Sequence, residues 1–169
     1  MLSIFKVKDR AEFFRSVAQN PIGIRAGLWS KLPLAAFAGL RVRRLDLDGC
    51  DVSLPAGWKT QNPFRSTYFA AQAMAAEMST GAPALFLIEK SGVKVSSLVT
   101  GLTAKFTKQA KSEATFRFTQ SQEMKAAIDR AIETGEPVLF TAKSVGTQKD
   151  SEVIAEFEIT WSFKKKSKQ

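Results

Sequence analysis

A chain of 169 residues, 44% apolar and 24% charged, has the makeup of one ordinary globular domain, long enough to bury a core, and extensive disorder is excluded. It contains no His, which excludes imidazole acid–base chemistry, His-dependent triads and His-ligated zinc, so no metal site is expected. The net charge of +9 is partly a run of lysines in 164–169, read as a basic tail, and the surface could attract nucleic acid, anionic lipid or a polyanionic small ligand.

Taken in chain order, Asp9 to Gln19 has the spacing of a short amphipathic helix, with Phe13, Phe14 and Val17 on one side and Asn20-Pro21 ending it. Ile24 to Phe37 reads as a second helical or irregular stretch, broken near Pro33. The apolar run from Pro21 to Leu40 is interrupted by Arg25, Lys31 and Pro33, too short and broken to span a membrane. No signal peptide is expected either, because Asp9 and Glu12 precede any apolar core. With Cys50 alone, which precludes an intrachain disulfide, these features suggest a cytoplasmic protein with neither membrane nor nucleic acid as partner.

From Leu40 the period changes to two. Asp48-Gly49 is a hairpin signal between a strand near Leu40–Leu47 and another near Cys50–Leu54. Cys50 reads as a small buried hydrophobe. Gly57 to Pro63 is a polar loop. The next segment, Thr67 to Met78, is a helix of small apolar residues, capped by Ser66 or Thr67 and ended by Gly81 and Pro83. Val95 to Thr107 is a long strand with Leu98, Leu102, Ala104 and Phe106 on one parity. Ala114, Phe116 and Phe118 alternate with polar neighbours in the next. Ser121 to Glu133 returns to helical spacing, with Gly135 past its end. Strands resume at Val138–Val145 and Val153–Phe163. The economical arrangement is an α+β domain over residues 1–169, its antiparallel sheet curled around the apolar helix.

That helix carries one charge, Glu77, one turn from Ala73 and Met74 and two from Ala70. A carboxylate sharing an apolar face is desolvated, which raises its pKa and prepares it as a general base or nucleophile. An interface carboxylate, or one simply exposed, would have the same sequence.

The element order and the segment NPFRSTYFAAQAMAAE resemble the hotdog-fold thioesterases, in the broad group of PaaI-type and 4-hydroxybenzoyl-CoA thioesterases. In the PaaI-like pattern an Asn opens the loop before the helix, His-Gly-Gly follows, and an Asp or Glu comes two turns into the helix. Asn62 and Glu77 match with the family-like separation of fifteen, while Tyr68, Phe69 and Ala70 replace His-Gly-Gly. The chain is closer to a poorly characterised thioesterase-like branch that lacks His-Gly-Gly and inserts a helix among its late strands, as Ser121–Glu133 would be.

The resemblance implies a curved sheet around a central helix, a homodimer or dimer of dimers, and hydrolysis of an acyl-CoA or acyl-carrier thioester. The coenzyme A thioester would be substrate, and no cofactor is implied. Glu77 would be nucleophile or general base and Asn62 would orient water or thioester. Backbone N–H groups at Phe69 and Ala70 would form an oxyanion hole. Tyr68 and Gln72 would face substrate, and Lys105, Lys108 and Lys111 would meet coenzyme A phosphates. A non-catalytic acyl-CoA or fatty-acid binding protein is the alternative.

Overall fold

The computed structural model describes Glu12, Ser16 and residues 27–167. The expected helix at Asp9–Gln19 lies outside the described residues apart from Glu12 and Ser16, both helical. A helical turn at 27–31 and helix α1 (Pro33–Ala38) lead into β1 (Arg41–Leu45) and β2 (Cys50–Leu54). Helix α2 (Phe69–Ser91), β3 (Val95–Phe106), β4 (Ala114–Phe118), α3 (Ser121–Thr134), β5 (Val138–Thr147) and β6 (Val153–Lys165) follow.

The six strands form one antiparallel sheet in the order β1-β2-β4-β5-β6-β3. Helix α2 packs against β2, β4, β5 and β6, and α3 lies beside it on β5 and β6. The sheet therefore wraps a central helix, with the inserted helix between β4 and β5, as the resemblance implies. Buried Phe116, Phe118, Phe157, Ile159 and Phe163 line its inner face. At the contact of α2 with β5, the hydroxyls of Ser79 and Ser144 meet at 2.8 Å, both buried.

Three expectations need correction. Gly81 and Pro83 do not end the helix, which continues to Ser91. A proline and a glycine inside a helix together cost about 4 kcal/mol. Phe86, Leu87 and Ile88 beyond them are buried, and burying such side chains contributes roughly 1.5–3 kcal/mol each. Burial outweighs the local stop signals. Secondly, neither Ser66 nor Thr67 caps the helix: the N-cap is Tyr68, with no side-chain hydrogen bond. Thirdly, the basic tail is partly strand. Lys164 and Lys165 pair with Ser96 and Val95, and the Lys166 N–H donates to the Lys94 carbonyl at 2.8 Å.

The β3 parity also differs. A bulge between Val99 and Gly101 turns the strand, so Leu98 shares the outer face with Ser162. Leu102, Ala104 and Phe106 oppose Ile159, Phe157 and Ala155 on the inner face. Leu102 and Phe106 are nonetheless about half exposed, because β3 is the sheet edge and α2 does not cover it. An open apolar strip thus runs beside the central helix.

Candidate active site

The loop before α2 is built by hydrogen bonds that leave the helix start open. Asn62 Oδ1 accepts from the Phe64 N–H (3.0 Å), the Ser66 N–H (3.2 Å) and the Ser66 hydroxyl (3.2 Å), which closes a tight turn. The Thr67 N–H donates to the Ala110 carbonyl and the Tyr68 N–H to the Thr60 carbonyl, both at 2.7 Å. The Tyr68 carbonyl then accepts from Ala71 and Gln72. Phe69 and Ala70, the first two helical residues, find no backbone acceptor among the described residues. With no capping side chain, their N–H groups remain available at the positive end of the helix dipole.

A cleft of about 510 Å³ opens at this point, bounded by the Asn62–Thr67 turn, Tyr68, Phe69, Gln72, Phe106 and the Thr107–Ala110 segment. Aromatic contacts knit it to the sheet. Tyr68 meets Phe69 edge-on at 4.8 Å, Phe69 meets Phe106 at 6.4 Å, and Phe106 meets the buried Phe157 at 5.6 Å. The Gln72 side chain is buried. Its Nε2 donates to the Thr67 carbonyl at 3.1 Å, and its Oε1 has no partner among the described residues.

Glu77 lies eight residues beyond Phe69, about 12 Å along the helix axis, and does not line this cleft. Its surroundings come from Gly81 and Trp161. A Cβ placed on Gly81 would lie 3.1 Å from Glu77 Oε1 and 3.3 Å from Trp161 Cη2, so carboxylate and indole edge share the space that glycine leaves. The indole N–H donates to Thr80 Oγ1 at 3.0 Å, and that hydroxyl donates to the Glu77 carbonyl at 3.0 Å. Burial raises the Glu77 carboxyl above its ordinary value, and no hydrogen bond or cation among the described residues opposes it. Trp161 is paired with Val99, which places Glu77 towards the open strip of β3.

The remaining expected residues divide. Asn62, Tyr68, Phe69, Gln72 and Lys108 line the cleft, with Ala70 beside it in the first turn. Asn62 has committed its carbonyl oxygen to the turn, which leaves its Nδ2 group to address a ligand. Lys108 is exposed and ion-paired with Glu152 at 2.7 Å, which holds its ammonium above the ordinary lysine value. Lys105 pairs with Glu156 on the outer face, away from cleft and helix. Lys111 is exposed outside the cleft, its N–H bonded to Gln148. Cys50 is fully buried and its thiol is pushed up by desolvation, which makes it inert. No group of three potential metal ligands exists among the described residues. Gly81, Thr80 and Trp161 were missed by sequence reasoning. Trp161 alternates with the polar Thr160 and Ser162, but nothing in the spacing registers it against Glu77.

The profile of the family described as "Domain of unknown function (DUF4442)" matches residues 23–163. No curated protein matches the chain by sequence. Solved structures share the fold. A Pseudomonas aeruginosa protein of unknown function, described as "Probable Thioesterase", superimposes with a TM-score of 0.72 at 19% identity, covering 92% of this chain and 95% of its own. A Chlorobaculum tepidum protein of unknown function gives 0.72 at 13% identity, covering 88% and 99%. A Haemophilus influenzae thioesterase gives 0.63 at 11% identity, covering 86% and 91%. The curved sheet around one long helix is the hotdog fold these proteins share.

Proposed function

The chain belongs to the DUF4442 family, and we propose that it is a thioester hydrolase whose reacting carboxylate is Glu77. The observation that carries this reading is the presence, on one helix, of a desolvated carboxylate and two first-turn N–H groups that find no partner among the described residues. The substrate is an acyl-CoA or acyl-carrier thioester, its acyl part lying against Leu102, Ala104 and Phe106. Glu77 takes a proton from water as the oxygen adds to the thioester carbonyl. The developing oxyanion receives the Phe69 and Ala70 N–H groups and the Asn62 amide. The C–S bond then breaks, and the thiol leaves with the proton from Glu77. Direct attack by Glu77, through an anhydride that water opens, uses the same groups.

About 12 Å of helix separates Glu77 from the first-turn amides, more than one reacting carbonyl can bridge. A second copy docked along the β3 edge would bring its own helix start close to the first copy's Glu77. The proposed unit is therefore a homodimer, alone or as a dimer of dimers, in the cytoplasm. One observation favours a non-catalytic acyl-CoA binder instead: the Phe69 ring stands where small residues would let a thioester reach the backbone. Free-thiol release from a panel of acyl-CoAs separates the two. Multiple turnovers in the parent, reduced at least about a hundredfold in Glu77→Gln, support hydrolysis. Saturable acyl-CoA binding with no thiol release from any substrate supports the binder.

A further inference from the structure

The opposite edge of the sheet carries an apolar face that the proposed reaction does not use. Leu28, Ala35 and Ala38 are buried and hold the 27–31 turn and α1 against the body. Trp29, Leu32, Leu34 and Phe37 are left facing outwards, Leu34 at 66% exposure. From the loop after β2, Trp58 joins them. Its ring meets Phe37 edge-on at 6.4 Å, yet it is 76% exposed. Lys59 Nζ stands 5.2 Å from the Phe37 ring centre. Single exposed hydrophobes are ordinary, whereas five large ones gathered on one short stretch and its neighbouring loop mark an interaction surface.

The charge around this face has one sign. No Asp or Glu occurs between Glu12 and Asp46, nor between Asp51 and Glu77, and these two stretches supply the whole face. Lys31, Arg41 and Lys59 are exposed around it, and no carboxylate pairs with them among the described residues. Two indoles, aliphatic tips and a rim of unpaired cations match the interface of an anionic bilayer. Trp rings settle at headgroup depth, leucines reach the acyl boundary and cations meet lipid phosphates.

We propose that this face, Trp29, Leu32, Leu34, Phe37 and Trp58 with Lys31, Arg41 and Lys59, docks the protein peripherally on anionic lipid membranes. Docking differs from spanning, since no helix among the described residues is long and apolar enough to cross a bilayer. It departs from the expectation of no membrane partner. The face lies by β1, at the far end of the sheet from β3, so a copy docked along β3 leaves it free.

The test is flotation of the full chain with vesicles of mixed phosphatidylglycerol and phosphatidylcholine, against phosphatidylcholine alone, at low and high salt. Parent protein should float with the anionic vesicles, shift its Trp emission to the blue and detach as salt rises. The double variant Leu34→Ser/Trp58→Ser should lose at least about tenfold in vesicle affinity. Lys31→Glu/Lys59→Glu, which leaves the apolar contacts in place, should lose a similar factor of about ten or more. Acyl-CoA turnover, if present, should be unchanged in both, so failure here is separable from failure of the hydrolase reading. Absence of flotation, equal affinity for neutral vesicles, or parent-like binding by both variants overturns the proposal. A Leu34→Ser/Trp58→Ser variant that instead dissociates an oligomer or releases an acidic protein partner also overturns it, assigning the face to protein contact.

Discussion

Gly81→Ala separates the chemistry of Glu77 from the stability of the helix that carries it. Alanine is favoured over glycine within a helix by about 1 kcal/mol. Against this, the new methyl would sit 3.1 Å from Glu77 Oε1 and 3.3 Å from Trp161 Cη2, each a few tenths of an ångström inside ordinary contact. The two neighbours respond differently. Trp161 is held by its hydrogen bond to Thr80 and by stacking on Phe163, whereas the carboxylate ends a flexible side chain and yields. Stability should stay within about 1 kcal/mol of the parent, a shift of roughly 2–4 °C or less in melting temperature. Turnover should not follow, since misplacing a reacting group by about 1 Å costs about a hundredfold. A smaller displacement here should cost about tenfold or more in kcat. Thermal melts and thiol release from the same preparation read both quantities. A raised melting temperature with unchanged kcat would refute the assignment of Glu77, or of Gly81 as its seat. A loss of activity with a collapsed melt would instead make Gly81 a packing residue.

Other expectations follow from geometry already described. Burial raises the Glu77 carboxyl above its ordinary value, so between the unfolded and folded pKa the folded state keeps a proton the unfolded chain has released; stability from this source is full below the unfolded pKa and lost as pH rises through the folded one. Glu77→Gln should therefore gain stability over the parent at pH 8 but not at pH 4, and melts showing the reverse order would contradict the buried setting. Gly146→Ala should destabilise by about 1–3 kcal/mol in denaturant titration, because its Cβ would lie 2.5 Å from the buried Phe116 ring; a neutral result would mean the ring can move aside. Asp51 accepts two bonds from Arg117 at 3.0 Å and one from Arg44 at 3.3 Å, so Asp51→Ala should cost about 1–3 kcal/mol by the same titration. Leu102→Glu on the open inner strip of β3 should turn a dimer into monomers by sedimentation, and an unaltered dimer would place the contact elsewhere.

The parts legible in sequence were those where local chemistry and tertiary demand coincide. Asp48-Gly49 makes the β1–β2 turn because Asp46 Oδ1 accepts from the Asp48 and Gly49 N–H groups, while a Cβ on Gly49 would meet the Phe118 carbonyl oxygen. The alternation of Ala114, Phe116 and Phe118 with polar neighbours survives intact because one face of the sheet is packed. The second half of α2 was hidden. Its continuation through Pro83 is decided by the burial of Phe86, Leu87 and Ile88, which periodicity cannot price against a helix breaker. Of the site, Glu77 stood out by composition, as the single charge on an apolar helix, while the residues near the helix start were marked only by the family resemblance. The seat formed by Gly81 and Trp161 did not stand out, because it joins a helix to a strand some eighty residues away, with a register no local pattern encodes. Lys105 alternates with Ala104 and Phe106, and that parity alone assigns it to the outer face.

The strand order has a kinetic consequence. β6 pairs with β5 on one side and β3 on the other, so the last of the described strands in chain order joins the sheet's long edge to the rest. During synthesis β3 is complete while β6, its only neighbour among the described residues, is still absent, and Leu102 and Phe106 must wait beside a helix that does not cover them. Contacts of such large sequence separation, Val95 with Lys165 at the extreme, place folding towards the slow end for a domain of this size, on the order of milliseconds to seconds. The interval before β6 arrives is the time when this chain is most open to chaperones and to mispairing with another copy's β3.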